Sequence, residues 1–167
     1  MKKKSHFNNI TGYIEGYYGK LLSWDNREII VKSLHKNNLN TYLYAPKEDI
    51  HHRLFWKKKY SIEWRSNFRK FTDLCKNYKI NIIAGIAPGL DFNFKQLFTN
   101  SKKTQNSDFE FLLSKANQLL DDGATSIALL LDDIPSDFKK KFGNKVSEGT
   151  YHGILANKLL KKLGQNI

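Results

Sequence analysis

Cysteine is all but missing from this chain. Cys75 stands alone among 167 residues, so no internal disulfide can form and the fold must be held by its core. Its place in the helical series Phe68, Phe71, Thr72, Cys75 and Tyr78 makes it core filler rather than a nucleophile. Long hydrophobic runs are missing too. None approaches the roughly 18 residues a membrane span needs, and no apolar segment follows the Lys2-Lys3-Lys4 start as a secretory signal would require. The expected compartment is therefore the cytoplasm, with no membrane partner. A glycine-rich phosphate loop is absent, because Gly12, Gly16 and Gly19 are spaced unlike G-x-G-x-x-G. Acidic residues are scarce, 16 against 28 lysines and arginines, which gives a net charge of +12. Such a charge favours non-specific contact with phosphate backbones. Its distribution does not point to a reader of nucleic acid. The lysines are scattered over Lys2 to Lys4, Lys57 to Lys59, Lys139 to Lys141 and Lys161 to Lys162, and no helix-turn-helix, zinc-finger or RNP-like pattern accompanies them. No specific nucleic-acid partner is expected.

What is present is an ordinary globular composition, 40% hydrophobic and 13% aromatic, in a chain long enough for one domain with a real core. A polar tail over residues 1–9 precedes a single domain over 10–167, without a linker or internal sequence repeat. Strand and helix signals alternate along it. Ile10 to Glu15 reads as a strand, and Asp25 to Asn38 has helical spacing with Asp25 as its candidate cap. Leu39 to Ala45 is a second strand, ended by Pro46, and Ser61 to Tyr78 a second helix. Ile80 to Ile86 is a third strand. Asp108 to Asp122 follows as a helix whose apolar stripe runs through Phe111, Leu112, the stem of Lys115, Ala116, Leu119 and Leu120. Ser126 to Leu131 is a fourth strand, and Gly149 to Leu163 a fourth amphipathic helix. Consecutive βα units without an antiparallel signal predict an α/β fold with a parallel sheet and right-handed crossovers. Both a small doubly wound sheet and the first half of a (β/α)8 barrel satisfy that pattern.

The stretch Ile127-Ala128-Leu129-Leu130-Leu131-Asp132-Asp133 carries the most chemistry. Five apolar residues in a row fit a strand covered on both faces, and the position just after such a strand is where α/β enzymes place catalytic groups. Adjacent carboxylates repel, so one can stay protonated near neutrality while the other remains ionised. The competing reading is a helix start, with Asp132 to Asp137 capping the next segment and Pro135 in its first turn. In a parallel sheet all strand ends of one kind face the same way. Glu15 to Gly19, Tyr44 to Asp49, Pro88 to Asp91 and Asp132-Asp133 would therefore share one mouth. Tyr17, Tyr18, Tyr42, Tyr44 and Trp24 would bring aromatic surface to it, on which sugar rings stack, although core packing explains Tyr42 better and Tyr18 equally well. Gly16 permits close backbone approach, and Lys47 is placed to donate to a substrate hydroxyl. His51-His52-Arg53 is a candidate metal or anion group that lacks a third ligand at a fitting spacing.

The segments GYIEGYYGKLLSW, LNTYLYAPKEDIHHR, AGIAPGLDF and ALLLDDI, in this order and spacing, resemble the N-terminal half of the catalytic domain of glycoside hydrolase family 84, the β-N-acetylglucosaminidases. The wording of the first segment is nearest to bacterial members. This resemblance implies a (β/α)8 barrel that removes terminal β-linked N-acetylglucosamine with retention of configuration, and it implies no metal and no cofactor. It further implies that the 2-acetamido oxygen of the substrate is the nucleophile, that Asp133 is the general acid/base, and that Asp132 orients the acetamido N–H. Gly16, through its carbonyl, Tyr18 and Lys47 would bind the sugar of a glycan or glycoprotein. Strands five to eight of the family bring a tyrosine and an Asn- and Asp-bearing loop to the pocket, and no segment of these 167 residues matches them. A half barrel would leave two open sheet edges. Three states fit this: a split or truncated product, a homodimer of half barrels, or a complementing second chain. Weak or no activity is expected from an isolated monomer, and the alternative reading is a non-catalytic N-acetylglucosamine-binding or interaction module derived from the enzyme.

Overall fold

The computed structural model describes residues 9–98, 107–132, 134, 136–143 and 145–164. Its strands are β1 (Gly12–Glu15), β2 (Thr41–Tyr44), β3 (Asn81–Ile86) and β4 (Ser126–Leu129), all parallel and hydrogen-bonded in chain order. The helices are α1 (Trp24–Lys36), α2 (Ile62–Asn77), α3 (Asp108–Asp121), the single-turn α4 (Phe138–Phe142) and α5 (Glu148–Leu163). Each βα unit coincides with a periodic segment of the sequence, and the boundaries move by one or two residues. Two short elements had no periodic signal, the 3-10 turn Phe94–Phe98 and α4. Both rest on an aromatic knot, in which Phe94 lies 5.3 Å from Phe138 and 5.9 Å from Tyr151.

The same local chemistry starts and stops the long helices. Ser23, Ser61, Ser107 and Ser147 each sit at an N-cap and accept a hydrogen bond from the backbone N–H three residues on, satisfying a donor the helix leaves orphaned. Ser23, not Asp25, caps α1. Asp25 instead lies in the first turn, where its negative charge complements the helix dipole. At the other ends Leu39, Ile80 and Ala124 donate their N–H groups to Leu34, Cys75 and Leu119 carbonyls at 2.8 to 3.0 Å, a closure repeated after α1, α2 and α3. Each follows a residue of positive φ, namely Asn38, Lys79 and Gly123. The chain is thereby turned into the next strand by the same step three times, although the sequence itself carries no repeat.

The order β1-β2-β3-β4 excludes the doubly wound alternative, whose strand order reverses direction. Side-chain alternation then divides the sheet into two faces. Tyr42, Tyr44, Ile82, Ala84, Ile86 and Ile127 are buried on the helix side with Phe68, Phe71 and Cys75. Burial pushes the Cys75 thiol up to about 12, so it stays a neutral core group. Ile14, Leu43, Ile83 and Ser126 form one register row across the opposite face. That face is open: Ile14 is 64% exposed, and Leu43, Ile83 and Ala128 to Leu131 are only partly covered. The expectation that the apolar β4 run is covered on both faces is therefore wrong for the described chain, where β4 is an edge strand with Ile127 as its buried member. At the other edge Gly12 permits close pairing, since a Cβ there would fall 1.8 Å from the Thr41 carbonyl oxygen.

Candidate active site at the C-terminal ends of the strands

Residues far apart in sequence meet where the strands end. Lys47 follows β2 and Asp132 follows β4, and the Lys47 ammonium donates directly to the Asp132 carboxylate. One whole strand separates their parent strands, roughly 9 to 10 Å of sheet. A long, flexible lysine spans that gap because the inner side of β3 is low there. Gly85 contributes no side chain, and the next inward position is Ala87. The Lys47 side chain is 9% exposed and that of Asp132 54%, so the acid stands at the rim with the cation beneath it. Partial burial pushes the Asp132 carboxyl up. The Lys47 hydrogen bond, a backbone N–H and the charge of Lys47 outweigh it, and hold the group below the usual carboxylate value. Asp132 is thus ionised at neutral pH and caps no helix; α4 begins later, and its N-cap residue Asp137 makes no side-chain capping bond. Asp133 and Pro135 lie outside the described residues.

The loop after β2 is anchored from below. Asp49 is buried and accepts hydrogen bonds from the Tyr44 hydroxyl at 2.7 Å, the Tyr60 hydroxyl at 2.9 Å and the His51 backbone N–H at 2.9 Å. Three donors on one carboxylate fix the loop that carries Lys47. The loop after β1 leans on the same segment. Tyr18 is 62% exposed, with the Arg53 guanidinium 5.7 Å from its ring centroid, and Tyr17 pairs its hydroxyl with that of Tyr13 at 3.0 Å. Gly16 joins β1 to this loop.

The aromatic surface foreseen at the mouth reduces to Tyr17 and Tyr18. Trp24 and Tyr44 belong to the helix side: their rings lie parallel at 6.4 Å, among Trp64, Phe68 and Phe71. Tyr42 is fully buried, as core packing required, and donates to Glu15 at 2.7 Å. His51 and His52 do not converge as a metal pair would. The His51 ring packs against Tyr60 at 5.4 Å, whereas His52 Nδ1 lies 2.9 Å from the Gly85 carbonyl oxygen. Among the described residues no three His, Cys, Asp or Glu side chains gather as metal ligands. Sequence reasoning missed Asp49 and its two tyrosines as a support for the loop, because that grouping joins residues 5 and 11 positions apart that share no periodic pattern.

Comparison with known proteins gives matches over most of the chain. A family model described as beta-N-acetylglucosaminidase matches residues 11–166. Protein O-GlcNAcase from Rattus norvegicus and from Mus musculus are each 38% identical over 125 residues, 75% of this chain and 13% of theirs. Among solved structures, CpGH84B superposes with a TM-score of 0.79 at 27% identity, covering 95% of this chain and 25% of that one. A mutant of the Thermobaculum terrenum O-GlcNAc hydrolase gives 0.78 at 27% identity, covering 95% and 33%. The chain thus spans a small fraction of the length of each relative, and its sheet is part of a barrel.

Proposed function

Because the chain belongs to the beta-N-acetylglucosaminidase family, we propose that it supplies the catalytic acids for hydrolysis of terminal β-linked N-acetylglucosamine. The Lys47–Asp132 contact across the strand ends carries this reading, since it gathers an ionised carboxylate and a cation at the edge where barrel enzymes act. The substrate's acetamido oxygen attacks the anomeric carbon from the face opposite the leaving group. Asp132, kept anionic, accepts the acetamido N–H and stabilises the positive charge that grows on the ring as the oxazoline closes. Asp133 protonates the departing oxygen, then takes a proton from the water that opens the oxazoline, so configuration is retained. Such proton transfer is worth roughly 10²- to 10⁴-fold. With the substrate as nucleophile, two carboxylates on opposite faces of the sugar are not needed, and neighbouring acids suffice. Gly16, Tyr18 and Lys47 hold the sugar. No cofactor enters the scheme.

The aglycone in this reading is a glycan or a glycoprotein and the compartment the cytoplasm, which the single buried cysteine supports. The open inner face supports completion of the pocket by another polypeptide surface, for which a second copy of this chain is the simplest source. The test is release of 4-methylumbelliferone from its β-N-acetylglucosaminide. Turnover is expected to fall at least 100-fold in Asp133→Asn. Equal turnover in the two proteins would remove Asp133 from the chemistry.

A further inference from the structure

His52 is fully buried, yet it stands in the middle of the candidate site. Its backbone carbonyl accepts from the Ala87 N–H at 3.0 Å, and its ring Nδ1 lies 2.9 Å from the Gly85 carbonyl oxygen. A carbonyl can only accept, so Nδ1 carries the proton and, in the neutral ring, Nε2 is left with a lone pair. That Nε2 is buried and has no hydrogen-bond partner among the described residues. The ring fills the space that Gly85 leaves empty: a Cβ on Gly85 would come within 3.2 Å of His52 Cε1, and within 3.1 Å of Leu130 Cδ1. The imidazole therefore forms the floor between the ends of β2 and β4, below the contact those ends make. The charged groups around it are Asp49 from its own loop, Lys47 from the end of β2 and Asp132 from the end of β4.

We propose that His52 is a positioning residue of this site, whose Nε2 lone pair holds the Lys47 ammonium when a sugar displaces it from Asp132. The proposal rests on the reading of Lys47 and Asp132 as sugar-binding groups. An acceptor buried without a donor is costly, and Lys47 is the cation whose charge acts on this ring. Neutrality is part of the device. Burial is the largest influence on the ring and pushes its pKa below the usual histidine value, with Lys47 adding to the effect; the Gly85 bond, Asp49 and Asp132 act the other way without reversing it. A neutral floor attracts the ammonium, whereas a protonated one would repel it.

Two substitutions separate this role from simple packing. His52→Asn keeps a donor at the place of Nδ1 and loses the acceptor; His52→Gln carries an amide out to the place of Nε2. His52→Asn is expected to raise KM for 4-methylumbelliferyl β-N-acetylglucosaminide about tenfold with kcat little changed, and His52→Gln to recover most of the loss. Melting temperature is followed for each variant. Nitrogen-15 spectra of histidine- and lysine-labelled protein give a second reading that needs no turnover. They are expected to show the Nδ1-protonated tautomer, and a Lys47 Nζ signal that moves in the wild type when N-acetylglucosamine is added and does not make that move in His52→Asn. An Nε2-protonated ring, or a folded His52→Asn with wild-type KM and a Lys47 signal that moves as in the wild type, would overturn the proposal. A wild-type protein without hydrolase activity but with the moved Lys47 signal would overturn the enzymatic reading and leave this one standing.

Discussion

At the scale of single residues, burial decides more than identity. Lys115 was expected to lend only its stem to the apolar stripe of α3, with its head in water. Instead the whole side chain is buried, and its ammonium sits 3.9 Å from the Tyr60 ring centroid without a hydrogen-bond partner among the described residues. Burial drives its pKa down to about 7, against an opposing pull from Asp49. Between that value and the usual lysine range the unfolded chain binds more protons than the folded one. Stability must therefore rise as pH increases from 7 towards 9, and the penalty at neutral pH is on the order of a few kcal/mol. Lys115→Met should abolish the rise and increase the urea midpoint at pH 7. Urea unfolding at pH 7, 8 and 9 reads both effects. A wild-type protein whose midpoint is flat over that range would show that water or relaxation keeps Lys115 charged. The sequence could not reveal this, because a lysine at a helical core position usually escapes to the surface.

At the scale of elements, the parts fixed by local chemistry were legible and those fixed by tertiary pairing were not. Hydrophobic periodicity located every long strand and helix, and the serines before α1, α2, α3 and α5 are ordinary capping signals. The apolar run into Asp132 likewise announced a strand, whose end meets Lys47 at the rim of the sheet. Its open face went unread, since a run of apolar residues shows hydrophobicity and not what covers it. The link between β1 and α1 was equally hidden. Glu15, 1% exposed, receives two hydrogen bonds from the Arg27 guanidinium, at 2.9 and 2.7 Å, and a third from Tyr42. A forked pair of this kind satisfies both partners in a site water does not reach. Removing one partner strands a buried charge. Arg27→Met is expected to cost about 3 to 5 kcal/mol, measured by chemical denaturation, whereas the double variant Glu15→Gln with Arg27→Met should recover part of that loss. Losses that simply add would mean the two side chains act independently.

At the scale of the whole molecule, the sheet is finished on one side only. Among the described residues, helices cover the face built from Tyr42, Tyr44, Ile82, Ala84 and Ile86, while the row through Ile14, Leu43 and Ile83 faces outward, and β1 and β4 each keep one unpaired edge. An apolar face flanked by open edges is a surface built to be covered. Two copies related by a two-fold axis parallel to the strands bring β4 of each beside β1 of the other, with all strands still parallel, and enclose the apolar rows. The charge of +12 on each copy opposes that approach. Exposed charges further apart than about 8 Å are largely screened at physiological ionic strength, and apolar burial is not weakened by salt in the same way. Sedimentation equilibrium should therefore show association of the 167-residue chain that strengthens between low and moderate salt. Ile14→Lys places a charge in the middle of the covered row and should return the protein to monomers at the same concentration, with an unchanged melting profile in dilute solution. Monomers at every salt and concentration would rule out the second copy as the cover. Association that survives Ile14→Lys would place the contact on some other surface, and the mouth at Lys47 and Asp132 would then have to be completed by a different polypeptide.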